Sequence, residues 1–160
     1  MTAPGSAKLI AALAECQLHA EVLADAAHSL PARLEAADVA NISAEVRRTL
    51  DQLAYRFMKL QDALGEKVLP GLLVATLDAL PPHATFAEKL QRLERLGALP
   101  SADAWRLLRE VRNALAHEYP ENPALQAAAL TRLLGGAREL ISVWRAVRIF
   151  VDARLNLGSP

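Results

Sequence analysis

Apolar residues recur along this chain at spacings of three and four, the period of helices that bury one face. Leu9, Leu13, Cys16, Ala20, Leu23 and Ala27 predict a first helix, with Ser6 as its N-cap and its end near Leu30. Pro31 begins a transition in which residues 33–37 form a short helical turn. Ser43 or Asn41 then opens a second helix, striped by Val46, Leu50, Leu53, Phe57, Leu60 and Leu64. Gly65 ends or bends it. Residues 66–80 continue as helix, with Leu69, Leu72, Leu73 and Leu80 apolar and Pro70 either kinking the stretch or setting its first turn. After the Pro81-Pro82 break, Thr85-Phe86-Ala87-Glu88 is a capping box, and a third long helix runs through Leu90 and Leu93 to a C-cap at Gly97. Ser101 caps the next helix, whose buried stripe is Trp105, Leu108, Val111 and Leu115. Pro120 disfavours helix before it, which predicts an end near His117 or Tyr119. Asn122-Pro123 starts a final helix to about Leu155, ~50 Å long at ~1.5 Å per residue. Its stripe is Leu130, Leu134, Ala137, Ile141, Trp144, Val147 and Val151; Gly135-Gly136 kinks it or permits close helix contact, and the part beyond residue 140 is expected against a second subunit. The pattern predicts an all-α, up-down bundle of about five helices in a single domain spanning residues 1–160.

Composition sharpens this picture. Hydrophobic residues make up 52% and aromatics only 4%, so the core must be aliphatic, mainly Leu and Ala. With 18 basic and 18 acidic residues the net charge is zero, which argues against a broad basic footprint for nucleic acid; a small RNA site does not need one. The single cysteine excludes an internal disulfide and suits a reducing cytosol, and Cys16 falls on an apolar stripe, as a core residue rather than a nucleophile. The run Leu9 to Ala14 is too short for a signal peptide, and no apolar span approaches ~20 residues, so the expectation is a cytoplasmic protein with no membrane helix. His19 and His28 lie off any common helix face and read as surface or cap residues; His83 falls in a loop. No metal-ligand spacing, phosphate-binding glycine loop or serine nucleophile elbow is present, so neither metal nor cofactor is expected. Lys59 and Asp62 suit an i,i+3 pair, and Glu88, Lys89, Arg92, Glu94 and Arg95 a solvated face.

Chemistry concentrates in Arg112-Asn113-Ala114-Leu115-Ala116-His117-Glu118-Tyr119-Pro120. At ~100° per residue, Asn113 and His117 share one helix face, and Arg112 and Tyr119 a neighbouring one. Histidine transfers protons near neutral pH, and arginine offers a planar fork to phosphate. Together they suffice for metal-free RNA cleavage by the neighbouring 2′-hydroxyl, with a two-fold dimer supplying a second histidine. Arg106, Arg109 and Arg112, at spacings of three, form the one locally basic ridge, a track for an RNA backbone.

Arg112-Asn113-x3-His117 resembles the Arg-Asn-x3-His motif of HEPN domains, and the added Tyr119 makes it similar to the HepT-like toxins. The run Arg56-Phe57-Met58-Lys59-Leu60-Gln61-Asp62 looks like the equivalent helix of those proteins. The resemblance implies a dimerising helical bundle in which both protomers line one RNA-cleaving cleft, with Arg112, Asn113 and His117 catalytic. It also implies a minimal nucleotidyltransferase antitoxin that adds AMP to Tyr119. Arg106, Arg109 and Arg56 are then candidates for RNA contact, and Asp62 supports His117 from across the cleft. The competing expectation is a non-catalytic helical partner that binds a nucleotidyltransferase or a nucleotide and cuts nothing.

Overall fold

Every regular element among the described residues is helical, in a computed structural model that describes residues 3–76, 80–115, 122–155 and 157. Helix α1 spans Ala3–His28. It starts before Ser6, the predicted cap, because Pro4 falls in the first turn, where its missing N–H costs nothing. The short α2, Ala36–Ala40, lies later than the expected turn, since Glu35 and Asp38 form a capping box with Glu35 N–H donating to Asp38 Oδ2 at 2.7 Å. Ser43 is the N-cap of α3, Ala44–Ala63, accepting from the Val46 N–H at 3.1 Å. Asn41 is instead the C-cap of α2.

Gly65 does not end the second helix. A π-helical turn, Leu64–Val68, leads straight into α4, Leu69–Ala75. Pro70 lies in the first turn of α4. A proline ring clashes with the carbonyl four residues back in an ordinary α-helix, and the wider π turn relieves that clash. Thr76 caps α4, so Leu80 lies outside the helix.

The remaining boundaries follow their caps. Thr85 and Glu88 complete the box that opens α5, Phe86–Leu96, and Gly97 closes it at φ 82°. Ser101 opens α6, Ala102–Ala114, which ends with Leu115 as C-cap, short of the predicted end near His117 or Tyr119. There the Leu115 N–H turns to the Arg112 carbonyl at 3.2 Å, tightening the last turn to an i→i−3 bond. Asn122 Oδ1 accepts from both Ala124 and Leu125 N–H and opens α7, Pro123–Arg154.

Helices α1, α3 and α7 pack against one another, α6 covers α3 and α7, and α5 lies on α4 and α6. Cross-helix neighbours fix the directions. Leu9 meets Gly71, Glu15 meets Lys67 and His19 meets Arg56, so α1 runs antiparallel to α3–α4. Trp144 Nε1–H donates to Gln17 Oε1 at 3.1 Å, and Thr131 exchanges hydrogen bonds with the Leu34 backbone, so α7 runs antiparallel to α1. Leu53, Phe57, Leu60, Leu23, Leu140 and Val147 fill the centre with no exposed surface. Ile141, Trp144, Val147 and Val151, expected against a second subunit, are buried within this one chain. Among the described residues no helix is long and apolar enough to cross a membrane.

Gly135-Gly136 does not break α7. A Cβ at Gly136 would stand 3.4 Å from Val111 and 3.5 Å from Phe57, so this glycine lets α7 approach α3 and α6 closely, whereas a Cβ at Gly135 meets nothing within 4 Å. Gly135→Ala should therefore stabilise the fold by up to ~1 kcal/mol through helix propensity. Gly136→Val should destabilise it by about 1–3 kcal/mol through overpacking. Urea midpoints of the two variants read this contrast, and equal shifts would refute the close approach.

Candidate functional site

The antiparallel crossing of α3 and α6 brings Asp62 opposite Arg112, 50 residues later in the chain. Arg112 Nε donates to Asp62 Oδ1 at 2.9 Å and Nη2 to Oδ2 at 3.0 Å, a bidentate pair with both side chains about one-third exposed. The hydrogen bonds it donates to Asp62 hold the Arg112 guanidinium above its ordinary pKa; burial opposes this, and the charges of Asp62 and Glu66 reinforce it. Of the five N–H bonds of a guanidinium the pair occupies two, and the other three have no acceptor among the described residues.

Beside this pair lies a cleft of about 550 Å³, lined by Gln61, Asp62, Gly65, Glu66, Phe86, Trp105, Arg109, Arg112 and Asn113. Its floor depends on Gly65, because a Cβ there would stand 3.1 Å from the Trp105 ring. Trp105 is fully buried, and its indole N–H has no hydrogen-bond partner among the described residues. Gln61 is 5% exposed although its amide makes no hydrogen bond among the described residues. Asn113 is exposed at the edge.

Each arginine of the α6 ridge has a separate companion. Arg106 donates to Asp103 at 2.6 Å, and Arg109 lies 4.8 Å from the Phe86 ring centroid. The companion of Arg109 is therefore an aromatic ring rather than a carboxylate. Arg56, by contrast, faces α1. Its Nη1 donates to His19 Nδ1 at 3.0 Å, and its Nε is buried without a partner among the described residues. Asp62 is bound by Arg112, so the expected i,i+3 pair with Lys59 does not form, and Lys59 lies over the Tyr55 ring at 5.7 Å.

His19 is not a surface residue. It is 8% exposed, with Arg56 on one ring nitrogen and Glu15 3.7 Å from the other. Burial, with the charges of Arg56 and Lys59, holds its pKa below the ordinary histidine value, against a pull upward from Glu15. Glu15 accepts from Lys67 at 2.7 Å, extending the network to the π turn. Cys16 beside it is fully buried, and burial pushes its thiol up to about 12. Among the described residues, no three His, Cys, Asp or Glu side chains gather as a metal ion requires.

His117 and Tyr119 lie outside the described residues, as does any support Asp62 gives His117. Of the proposed site residues, Asp62, Arg109, Arg112 and Asn113 meet in one cleft. Gln61, Gly65, Glu66, Phe86 and Trp105 join them there without having been singled out by sequence; only Trp105 had a signal, as the sole large aromatic of its stripe. No family model, curated protein or solved structure matches this chain.

Two outcomes follow from this geometry. A double-mutant cycle on Asp62→Ala and Arg112→Ala should return a coupling of about 1 kcal/mol at low salt, shrinking as salt is added; zero coupling at low salt would contradict the bidentate pair. The second concerns His19, whose folded pKa lies below its unfolded value. At pH below ~6.5 the unfolded state then binds the extra proton, so the His19 contribution is complete above that pH and is lost progressively as pH falls from there through the lower folded pKa. Urea midpoints at pH 7.5 and 5.5 should drop for the natural chain and stay closer together for His19→Gln, which keeps an acceptor for Arg56.

Proposed function

We propose that this chain is a HepT-like member of the HEPN superfamily, a toxin that dimerises and cleaves RNA without a metal ion. The observation that carries this reading is the Arg112 fork, fixed by Asp62 at a cleft yet with donors to spare, in the chain segment that leads into His117. In the proposed reaction His117 takes the proton of a ribose 2′-hydroxyl, whose oxygen attacks the adjacent phosphorus. Arg112 stabilises the charge that builds on the phosphoryl oxygens, and Asn113 orients the phosphate. The 5′-oxygen leaves with a proton from the second protomer's histidine, giving a 2′,3′-cyclic phosphate and a 5′-hydroxyl. Arg106 and Arg109 lie along the approach. Tyr119, two residues after His117, is the proposed acceptor of AMP from a minimal nucleotidyltransferase antitoxin.

One observation favours a second reading, a non-catalytic helical partner of such a nucleotidyltransferase. Arg106, Arg109 and Arg112 are each engaged by Asp103, Phe86 or Asp62, so the ridge presents less free charge to RNA than its sequence implies.

Expression of the natural chain and of His117→Ala, with no antitoxin present, separates the two. The toxin reading expects arrested growth relieved by the substitution. It also expects a loss of about 10²–10⁴-fold in RNA cleavage by the purified variant, measured with chelator present. Equal growth of both strains, with no cleavage by either protein, would reject the enzyme.

A further inference from the structure

We propose that the cleft between the π-helical turn and α6 is a nucleobase pocket that takes one unstacked base of single-stranded RNA, with guanine favoured. The proposal takes its substrate from the RNA-cleaving reading, and its test is built so that the two fail separately.

Three features carry it. The first is a stacking platform. The Arg109 guanidinium lies over Phe86, its central carbon 4.8 Å from the ring centroid, and Arg109 is itself exposed. A guanidinium backed by an aromatic ring offers its open face to a base, and bases stack on arginine planes as they do on aromatics. The second is Gln61, a residue 5% exposed at the cleft wall whose amide has no hydrogen-bond partner among the described residues and is left to the cleft. A ligand edge carrying both a donor and an acceptor satisfies that amide. The third is Glu66, an exposed carboxylate on the same cleft with no ion pair among the described residues. Asp62 is paired with Arg112, so Glu66 is the carboxylate left for a ligand.

A carboxylate binds best to two adjacent donors. Among the four RNA bases only guanine has them on one edge, at N1–H and the 2-amino group; cytosine, adenine and uracil offer one each beside an acceptor that would repel the second oxygen. Gln61 is placed to serve the guanine O6 or N7 acceptors. The volume, about 550 Å³, falls within the range that encloses small ligands. Arg112 lines the same cleft, so the phosphate attached to a bound nucleotide comes to its remaining donors.

The probes are GMP, AMP, CMP and UMP, titrated into a Trp144→Phe chain whose only remaining tryptophan is Trp105, in the cleft wall. GMP should change Trp105 fluorescence saturably and bind about 5- to 100-fold more tightly than the other three. Glu66→Gln should abolish the preference, and Gln61→Leu should weaken GMP binding severalfold; leucine is close in size and apolar like the neighbouring core, so the variant should fold. No saturable change with any nucleotide, or equal affinity for all four, overturns the pocket. So does undiminished binding in folded Gln61→Leu and Glu66→Gln. GMP binding without RNA cleavage rejects the enzyme and leaves the pocket standing; cleavage by a chain that fails these titrations does the reverse.

Discussion

Pro70 has no N–H to give, and the long second helix is built around that deficit. A continuous α-helix from Ala44 to Ala75 would drive the proline ring into the carbonyl of Glu66. The chain instead widens over Leu64–Val68, inserting about one residue of extra turn. That insertion resets which residues face inward. The buried positions pass from Leu60 and Leu64 to Val68, Leu69, Leu72 and Leu73, so both halves of the bent helix keep their leucines against α1. The same widening presents Gly65 to Trp105 and leaves Gln61, Asp62 and Glu66 around one depression. The cleft is thus a product of a backbone defect tolerated in the middle of a core helix.

Helix α3 carries polar contacts on two of its faces. Residues six apart on a helix point about 120° away from each other. Asp62 accordingly turns to α6 and Arg112, while Arg56 turns to α1 and His19. Between them run Phe57 and Leu60, fully buried. The two arginine contacts differ in kind. Arg112 meets a carboxylate and stays partly exposed, whereas Arg56 meets a neutral imidazole and leaves its Nε without a partner among the described residues. The second arrangement ties the helices together at an electrostatic cost; the first keeps a cation available at the surface.

Local signals in the sequence were enough to give the helices and most of their ends. Ser43, Thr85, Gly97, Ser101 and Asn122 each perform the capping role their chemistry dictates, since a cap depends only on a few neighbouring residues. Ser6 misled because the helix begins at Ala3, with Pro4 admitted in its first turn, so Ser6 lies inside it rather than at its cap. The stripe through Leu50, Leu53, Phe57, Leu60 and Leu64 is buried as its period requires. Periodicity carries no record of how far one helix is rotated against another. The burial of His19, the choice of Arg112 over Lys59 by Asp62, and the meeting of Phe86 with Arg109 all depend on that rotation. Arg112 and Asn113 were singled out from their sequence context alone, while the cleft walls came from three other helical segments that share no motif.

The sole cysteine is sealed in the bundle with a thiol that stays protonated far above neutral pH. Alkylating reagents attack thiolates, so the native chain is nearly silent to maleimide chemistry. A cysteine introduced at any exposed position becomes its one fast-reacting handle. Fluorophores, spin labels or cross-linkers can then be attached singly, without first stripping out the native sulfur.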